Sequence, residues 1–352
     1  MGGVIMGALK PIIITLCTVL ISSKTLFARD QIRVSGSSTV LPYARIVAEN
    51  FSEFFTDFKT PLIESGGSGP GIKEFCRGVG EDKIDIANAS RKMKKGEFEE
   101  CKKNGVSDIE EVRIGYDGVV LAVDNSLGSI SMKIEDLYKA LAAKIIVKGQ
   151  LVSNPLKKWS EINPSMPNIP ISIYIPGEKH GTREVFEEKV LKEGCEVSGA
   201  LEEIKRLVLD KEEANKTCLM IRKDGVAIDI DGDYTETLTR INANKTAFGV
   251  FGFSFYKNNA DILKVVAVNG ITPSMETIAS SQYPIARPLF FYLKKAHLSL
   301  IPGLKEYVDY FVSDQMIGPE SPLVKYGLVP MPDSERKIMQ NHVKVGEIMN
   351  GF

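Results

Sequence analysis

The chain has 352 residues, 43% hydrophobic and 25% charged, with 44 Lys+Arg against 45 Asp+Glu. This is globular composition with enough length for two domains. The near-neutral balance excludes a nucleic-acid coat and a membrane-surface binder, both of which need basic faces, so any anion site has to be built locally.

The first element reads as an export signal. Lys10 gives a positive start, "PIIITLCTVLI" is an apolar run too short to span a bilayer, and "LFA" ends at Ala28. Residues 1–28 are therefore expected to be removed and the protein to work in the periplasm. Of the five cysteines, cleavage leaves Cys76, Cys101, Cys195 and Cys218. Four cysteines allow three connectivities. Sequence locality favours Cys76–Cys101 and Cys195–Cys218, each worth about 3 kcal/mol as a loop closure. No CxxC or paired-His spacing suggests a metal, and no cofactor is expected.

One unit then recurs four times: a short strand, a small polar loop, a helix. "RVSGSSTVLPYARIVAENF" opens it at Arg33. Val47, Phe51, Phe54, Phe55 and Phe58 give the apolar stripe of an amphipathic helix, with Ser38 or Thr39 as its cap. "PLIE" leads through "SGGSGPG" into "IKEFCRGV". "KIDIANASRKM" runs through Ser90 and Arg91 into a charged helix. "IPISIYI" leads through "PGEKHGT" into "REVFEEKVLKEG". Each loop offers Ser, Thr or Gly at a helix start, where free N–H groups and the helix dipole favour an anion. Four such loops, two of them carrying Arg91 and Arg183, point to an oxyanion site.

Several other stretches read as structural. "DIDGD" at Asp229–Asp233 lacks the spacing and closing Glu of a calcium loop and is expected to be an acidic turn. "FGVFGFSFY" reads as a buried strand. Trp159, the sole tryptophan, is expected to anchor the core beneath a Pro-rich loop.

Taken together, "SGSSTVLPYA", "ESGGSGPGIKEFC", "DIANASRKM", "GYDGVVLAVDN", "GTREVFEE", "AFGVFGFSFY" and "YPIARPLFFYL" resemble the PstS family, the periplasmic phosphate receptors of bacterial phosphate ABC transporters. The resemblance spans essentially the whole mature chain and matches the branch that carries Ser-Arg in the third loop. It implies an α/β, two-domain periplasmic binding protein of type II, with two hinge-crossing strands and the ligand cleft between the domains. Residues 29–119 and 268–352 would form a discontinuous first domain and residues 120–267 the second, with crossovers near 119 and 268.

The resemblance also implies a binding set. Ser38, Thr39 and Val40 come from the first loop, Ser68 and Gly69 from the second, and Ser90 and Arg91 from the third. His180, Gly181, Thr182 and Arg183 come from the fourth. Its implied role is non-enzymatic: a monomer that binds inorganic phosphate and hands it to a membrane permease, with no nucleic acid involved. Two positions depart from the family pattern. Arg91 stands where many members place the aspartate that accepts the proton of HPO₄²⁻. His180-Gly181-Thr182 replaces the usual Ser-Gly-Thr, and Pro176 replaces the arginine that often precedes it.

Three alternatives stay open: a receptor for sulfate or molybdate, an exported protein of the same fold that works through its surface, and a histidine phosphatase. The last rests on "KHGTREV", which resembles Arg-His-Gly-x-Arg-x-Pro. Lys179 and Val185 break that signature, and no His-Asp dipeptide follows.

Overall fold

The protein is described by a computed structural model covering residues 1–3, 29–178 and 181–351. The expected leader, apart from its first residues, and His180 lie outside the described residues. No helix among the described residues is long and apolar enough to cross a membrane.

The repeated unit forms as the periodicity requires. β1 (Arg33–Gly36) leads to α1 (Leu41–Phe54), β2 (Leu62–Ser65) to α2 (Ser68–Phe75), and β3 (Ile86–Ala89) to α3 (Lys95–Lys103). Pro42 suits the first turn of α1, since it forgoes a donor that has no helical partner there. The buried face of α1 is Tyr43, Ala44, Val47, Ala48 and Phe51. The expected stripe is thereby corrected at its end. The helix stops at Phe54, which is 61% exposed. Phe55 and Phe58 lie beyond the helix and stack on Phe51 at 4.8 and 6.0 Å. Phe51 also meets Tyr307 edge-on at 5.4 Å, so its truncation to Ala would cost about 3–5 kcal/mol.

β4 (Ile109–Asp124) is a long, largely buried strand. After it come β5 (Ser131–Met132), α4 (Ile134–Leu141), the hairpin β6 (Lys144–Val147) and β7 (Gln150–Ser153), and α5 (Trp159–Ile162). β8 (Ile173–Pro176) then leads to α6 (Gly181–Phe186), which continues as a π-helical stretch, Glu187–Lys192. The remaining strands are β9 (Ala227–Ile230), β10 (Phe248–Gly252), β11 (Leu263–Val265), β12 (Ala267–Val268) and β13 (Ala286–Lys294). Trp159 is fully buried against Phe248, as the sequence suggested. The expected strand "FGVFGFSFY" is corrected in its second half: β10 is buried but ends at Gly252, and Phe253–Asn258 is a helix, since the chain turns out of the sheet at Gly252. Asp233 caps the helix that follows "DIDGD" by accepting from the Thr235 amide.

The main sheet has the order β2-β1-β3-β13-β4-β10-β8-β9, with β11 also on β4. This is an α/β type II binding-protein architecture. Residues 109–118 of β4 pair antiparallel with β13, whereas residues 119–124 pair with β10 and β11. One strand is thus shared by two half-sheets. The expected second crossover near residue 268 falls in β12, which pairs with β5; the chain rejoins the first half-sheet only at Ala286. The reason is the intervening segment, where the helix Met275–Ala279 packs on β4 and buries Ile278 beside Gly118. The cysteines pair as Cys76–Cys101 and Cys195–Cys218, each joining neighbouring helical segments.

Candidate functional site

All four polar loops leave the carboxyl ends of parallel strands, the side on which open α/β sheets bind ligands. Glycines let the first three converge. A Cβ on Gly71 would lie 2.4 Å from the Cα of Gly36, and one on Gly36 would lie 2.1 Å from the Asn88 carbonyl oxygen. With φ +143°, Gly36 occupies backbone space that other residues avoid. The Gly36 carbonyl accepts from the amides of Gly66 and Gly67, and the Ser37 amide donates to Asn88. The three loops are therefore one backbone unit.

At the start of α1 the expected cap is replaced by an αR residue, Val40, with no side-chain hydrogen bond. The hydroxyls are engaged elsewhere. Ser38 Oγ donates to Glu184 at 2.8 Å, and Thr39 Oγ1 accepts from Arg287 Nη2 at 2.6 Å. The amides of Ser38 and Val40 have no partner among the described residues. They are the unsatisfied donors that a helix start offers to an acceptor.

In the neighbouring loops, Ser68 Oγ lies 3.1 Å from Ser90 Oγ and accepts from the Ser90 amide at 3.0 Å. Arg91 is held by two hydrogen bonds to Glu97, at 2.7 and 2.9 Å, which raise its pKa further. Glu97 also receives the Lys94 amide, so α3 fixes this arginine through its own N-terminal turn. Ser68, Gly69, Ser90, Arg91 and Arg287 line one cavity of about 380 Å³, facing Glu184 and Glu188 across it.

From the second half-sheet, Thr182 Oγ1 lies 2.7 Å from the Tyr234 hydroxyl. Gly181 opens α6. Arg183 is directed differently. Its buried guanidinium binds Glu187, Asp229 and the Pro176 carbonyl, and it lines neither cavity of the cleft described here. Its charge is spent on tying α6 to β8 and β9.

The centre of the cleft belongs to residues that loop reasoning passed over. Arg287, on β13, is only 5% exposed. Besides Thr39 it contacts Glu188 at 3.2 Å and Glu184 at 3.9 Å, and its Nε is buried with no partner among the described residues. Asp117, on β4, is its register partner across the strand pair. Burial pushes the Asp117 carboxyl above its ordinary pKa; Arg287 lowers it and Glu184 raises it. Thr39, Asp117 and Thr182 line a second cavity of about 370 Å³, together with Tyr43, Tyr234 and Tyr326. The site as a whole can hold an anion by hydroxyls, helix-start amides and one desolvated guanidinium.

The sequence pattern of the PBP superfamily domain matches residues 22–315. The chain belongs to the PBP superfamily. Among its relatives, protein SphX of Synechocystis is 29% identical, over 99% of this chain and 92% of that protein. The phosphate-binding protein PstS of Staphylococcus haemolyticus is 27% identical, over 82% of this chain and 78% of its own. The crystal structure of a possible phosphate binding protein from Planctomyces limnophilus superposes with a TM-score of 0.68 at 26% identity, covering 90% of this chain and 98% of that one.

In this superfamily member Thr39 and Thr182 line one cavity, Ser68, Gly69, Ser90 and Arg91 line another, and Ser38 and Val40 sit at the start of α1. Arg287 and Asp117 join them from β-strands. Both sit in stretches that carry the family resemblance. The signal that could have found them is a lone charge inside an otherwise apolar strand, in "YPIARPLFFYL" and "GYDGVVLAVDN". Among the described residues no cluster of His, Cys, Asp and Glu could hold a metal ion.

Proposed function

We propose that this protein is an exported, monomeric receptor for inorganic phosphate that closes its cleft on the anion and delivers it to the membrane permease of an ABC transporter. The observation that carries this reading is the convergence of three small-residue loops on the buried Arg287, between the half-sheets that share β4. Hydroxyls and helix-start amides donate without bulk, and a buried guanidinium supplies charge where water does not screen it. Residues 29–119 with 268–352 act as one lobe and residues 120–267 as the other, bending on β4 and on the segment entering β13.

Glu184 and Glu188 hold Arg287 in this arrangement, and a bound anion takes over part of that role. The protein acts by binding and release rather than by turnover. The phosphate-binding relatives support the ligand class. The test is thermal unfolding of the phosphate-stripped protein with and without phosphate, alongside hydrolysis of p-nitrophenyl phosphate. Phosphate at a hundred times its Kd should add about 2.7 kcal/mol of stability, with no ester turnover. An unchanged melting curve, or sustained hydrolysis, would overturn the reading. A larger shift with molybdate or sulfate would reassign the ligand to another oxyanion.

A further inference from the structure

We propose that the cavity of about 370 Å³ flanking Thr39 is a second subsite, and that besides inorganic phosphate the cleft takes phosphate monoesters of small polyhydroxylated alcohols, such as glycerol phosphate. This rests on the phosphate reading above and adds a ligand class to it.

The two cavities of the cleft differ in chemistry. The one beside Arg287 is lined by small-residue loops and suits a bare anion. Thr39 links it to the other, because its hydroxyl accepts from Arg287 and the residue lines the 370 Å³ cavity. That second cavity is walled by the rings of Tyr43, Tyr234, Phe255 and Tyr326. Tyr43 meets Tyr326 edge-on at 5.6 Å, and Tyr234 meets Phe255 at 5.2 Å. Cavities of about 300–1,000 Å³ are the class that holds small organic ligands. Aromatic faces give inorganic phosphate nothing to bind.

Polar atoms in the same wall lack partners. Asp117 is 6% exposed, and its carboxylate makes no hydrogen bond or ion pair among the described residues. The hydroxyl of Tyr43, also 6% exposed, makes none either. Gly327 leaves room beside it, since a Cβ there would lie 3.4 Å from that oxygen. The Asn258 amide and the Lys325 ammonium join the wall, again with no partner among the described residues. Buried polar groups ordinarily find a partner, because leaving them unsatisfied is costly. Asp117 accepts, Lys325 donates, and a phenol or an amide does both. A polyol matches this mixture, because each of its hydroxyls donates and accepts, and its C–H faces pack on aromatic rings. A second phosphate fits poorly beside the carboxylates of Asp117 and Asp233, and a cationic substituent meets the like charge of Lys325.

The experiment is titration calorimetry of the phosphate-stripped protein with phosphate, with glycerol phosphate freed of inorganic phosphate, with ethyl phosphate and with phosphocholine. It is repeated on an Asn258→Ala/Lys325→Ala double variant. Native protein should bind glycerol phosphate within about tenfold of phosphate, and about tenfold or more tighter than ethyl phosphate, which keeps the ester and lacks the hydroxyls. The double variant should lose about tenfold for glycerol phosphate, the scale of two hydrogen bonds, and less than about threefold for phosphate. Phosphate binding with no glycerol phosphate binding overturns the subsite and leaves the phosphate reading standing. So does ethyl phosphate or phosphocholine binding as tightly as glycerol phosphate, or a folded double variant with unchanged ester affinity. Ester binding without phosphate binding overturns the earlier reading and keeps the subsite. Native protein that binds none of the four removes both.

Discussion

Replacing Arg287 by Met removes a cation buried between the half-sheets while keeping most of the side-chain volume. Arg287 is 5% exposed, gives Thr39 a 2.6 Å hydrogen bond, and has a buried Nε without a partner among the described residues. An anion in the cleft would receive at least one charge-assisted hydrogen bond from this group, worth roughly 1.5–3 kcal/mol. Truncation also leaves the Asp117 carboxylate uncompensated, which works in the same direction, so a loss of about 2–3 kcal/mol is expected. At about 1.4 kcal/mol per decade this is a 30- to 150-fold rise in the phosphate Kd. Arg287→Lys keeps the charge but loses the planar fork and should lie between, near tenfold. The assay is phosphate titration followed by intrinsic fluorescence, with circular dichroism confirming that each variant is folded. A folded Arg287→Met protein whose Kd stays within about threefold of the native value would refute the placement of the anion at Arg287.

Two further changes separate structural from binding roles. Arg183→Ala should cost roughly 1–2 kcal/mol of stability in urea, because it removes the buried guanidinium that ties Glu187, Asp229 and the Pro176 carbonyl together while Asp229 keeps Lys223, and phosphate affinity should change less than about threefold; a large affinity loss at unchanged stability would restore Arg183 to the site. Burial pushes the Glu110 carboxyl up to about 7, so its contribution to stability is full below about pH 4.5 and is lost as pH rises through about 7. Glu110→Gln should therefore stabilise the protein at pH 8 by about 2 kcal/mol or more, and leave it nearly unchanged at pH 4; parallel pH–stability curves for the two proteins would contradict this.

Much of the architecture was legible because the repeated unit is local. A strand, a loop of Ser, Thr and Gly, and an apolar stripe at helical spacing occupy one short window, and each unit formed where its pattern lay. Glycine at positions 36 and 71 was legible as loop chemistry, but its reason, the contact of α2 with the end of β1, is tertiary. Arg287 illustrates the opposite limit. It is separated from Thr39 by 248 residues, and only β13 lying between β3 and β4 brings the two together. Arg183 illustrates a third case. Its position after a small-residue loop matched Arg91, yet β9 places Asp229 beside it, and a partner from a distant strand decides where the guanidinium points. The segment near residue 268 and the strand that rejoins the first half-sheet at Ala286 are separate for a related reason. "KVVAVNG" is strand-like, but β12 pairs with β5, and pairing partners are not written in a strand's own sequence.

Isothermal titration of phosphate into the phosphate-stripped protein at neutral pH tests the central claim most directly. The account predicts a single saturable transition with a stoichiometry of about one phosphate per chain, and no comparable heat with sulfate. Absence of a phosphate transition, or an equal one with sulfate, would contradict it.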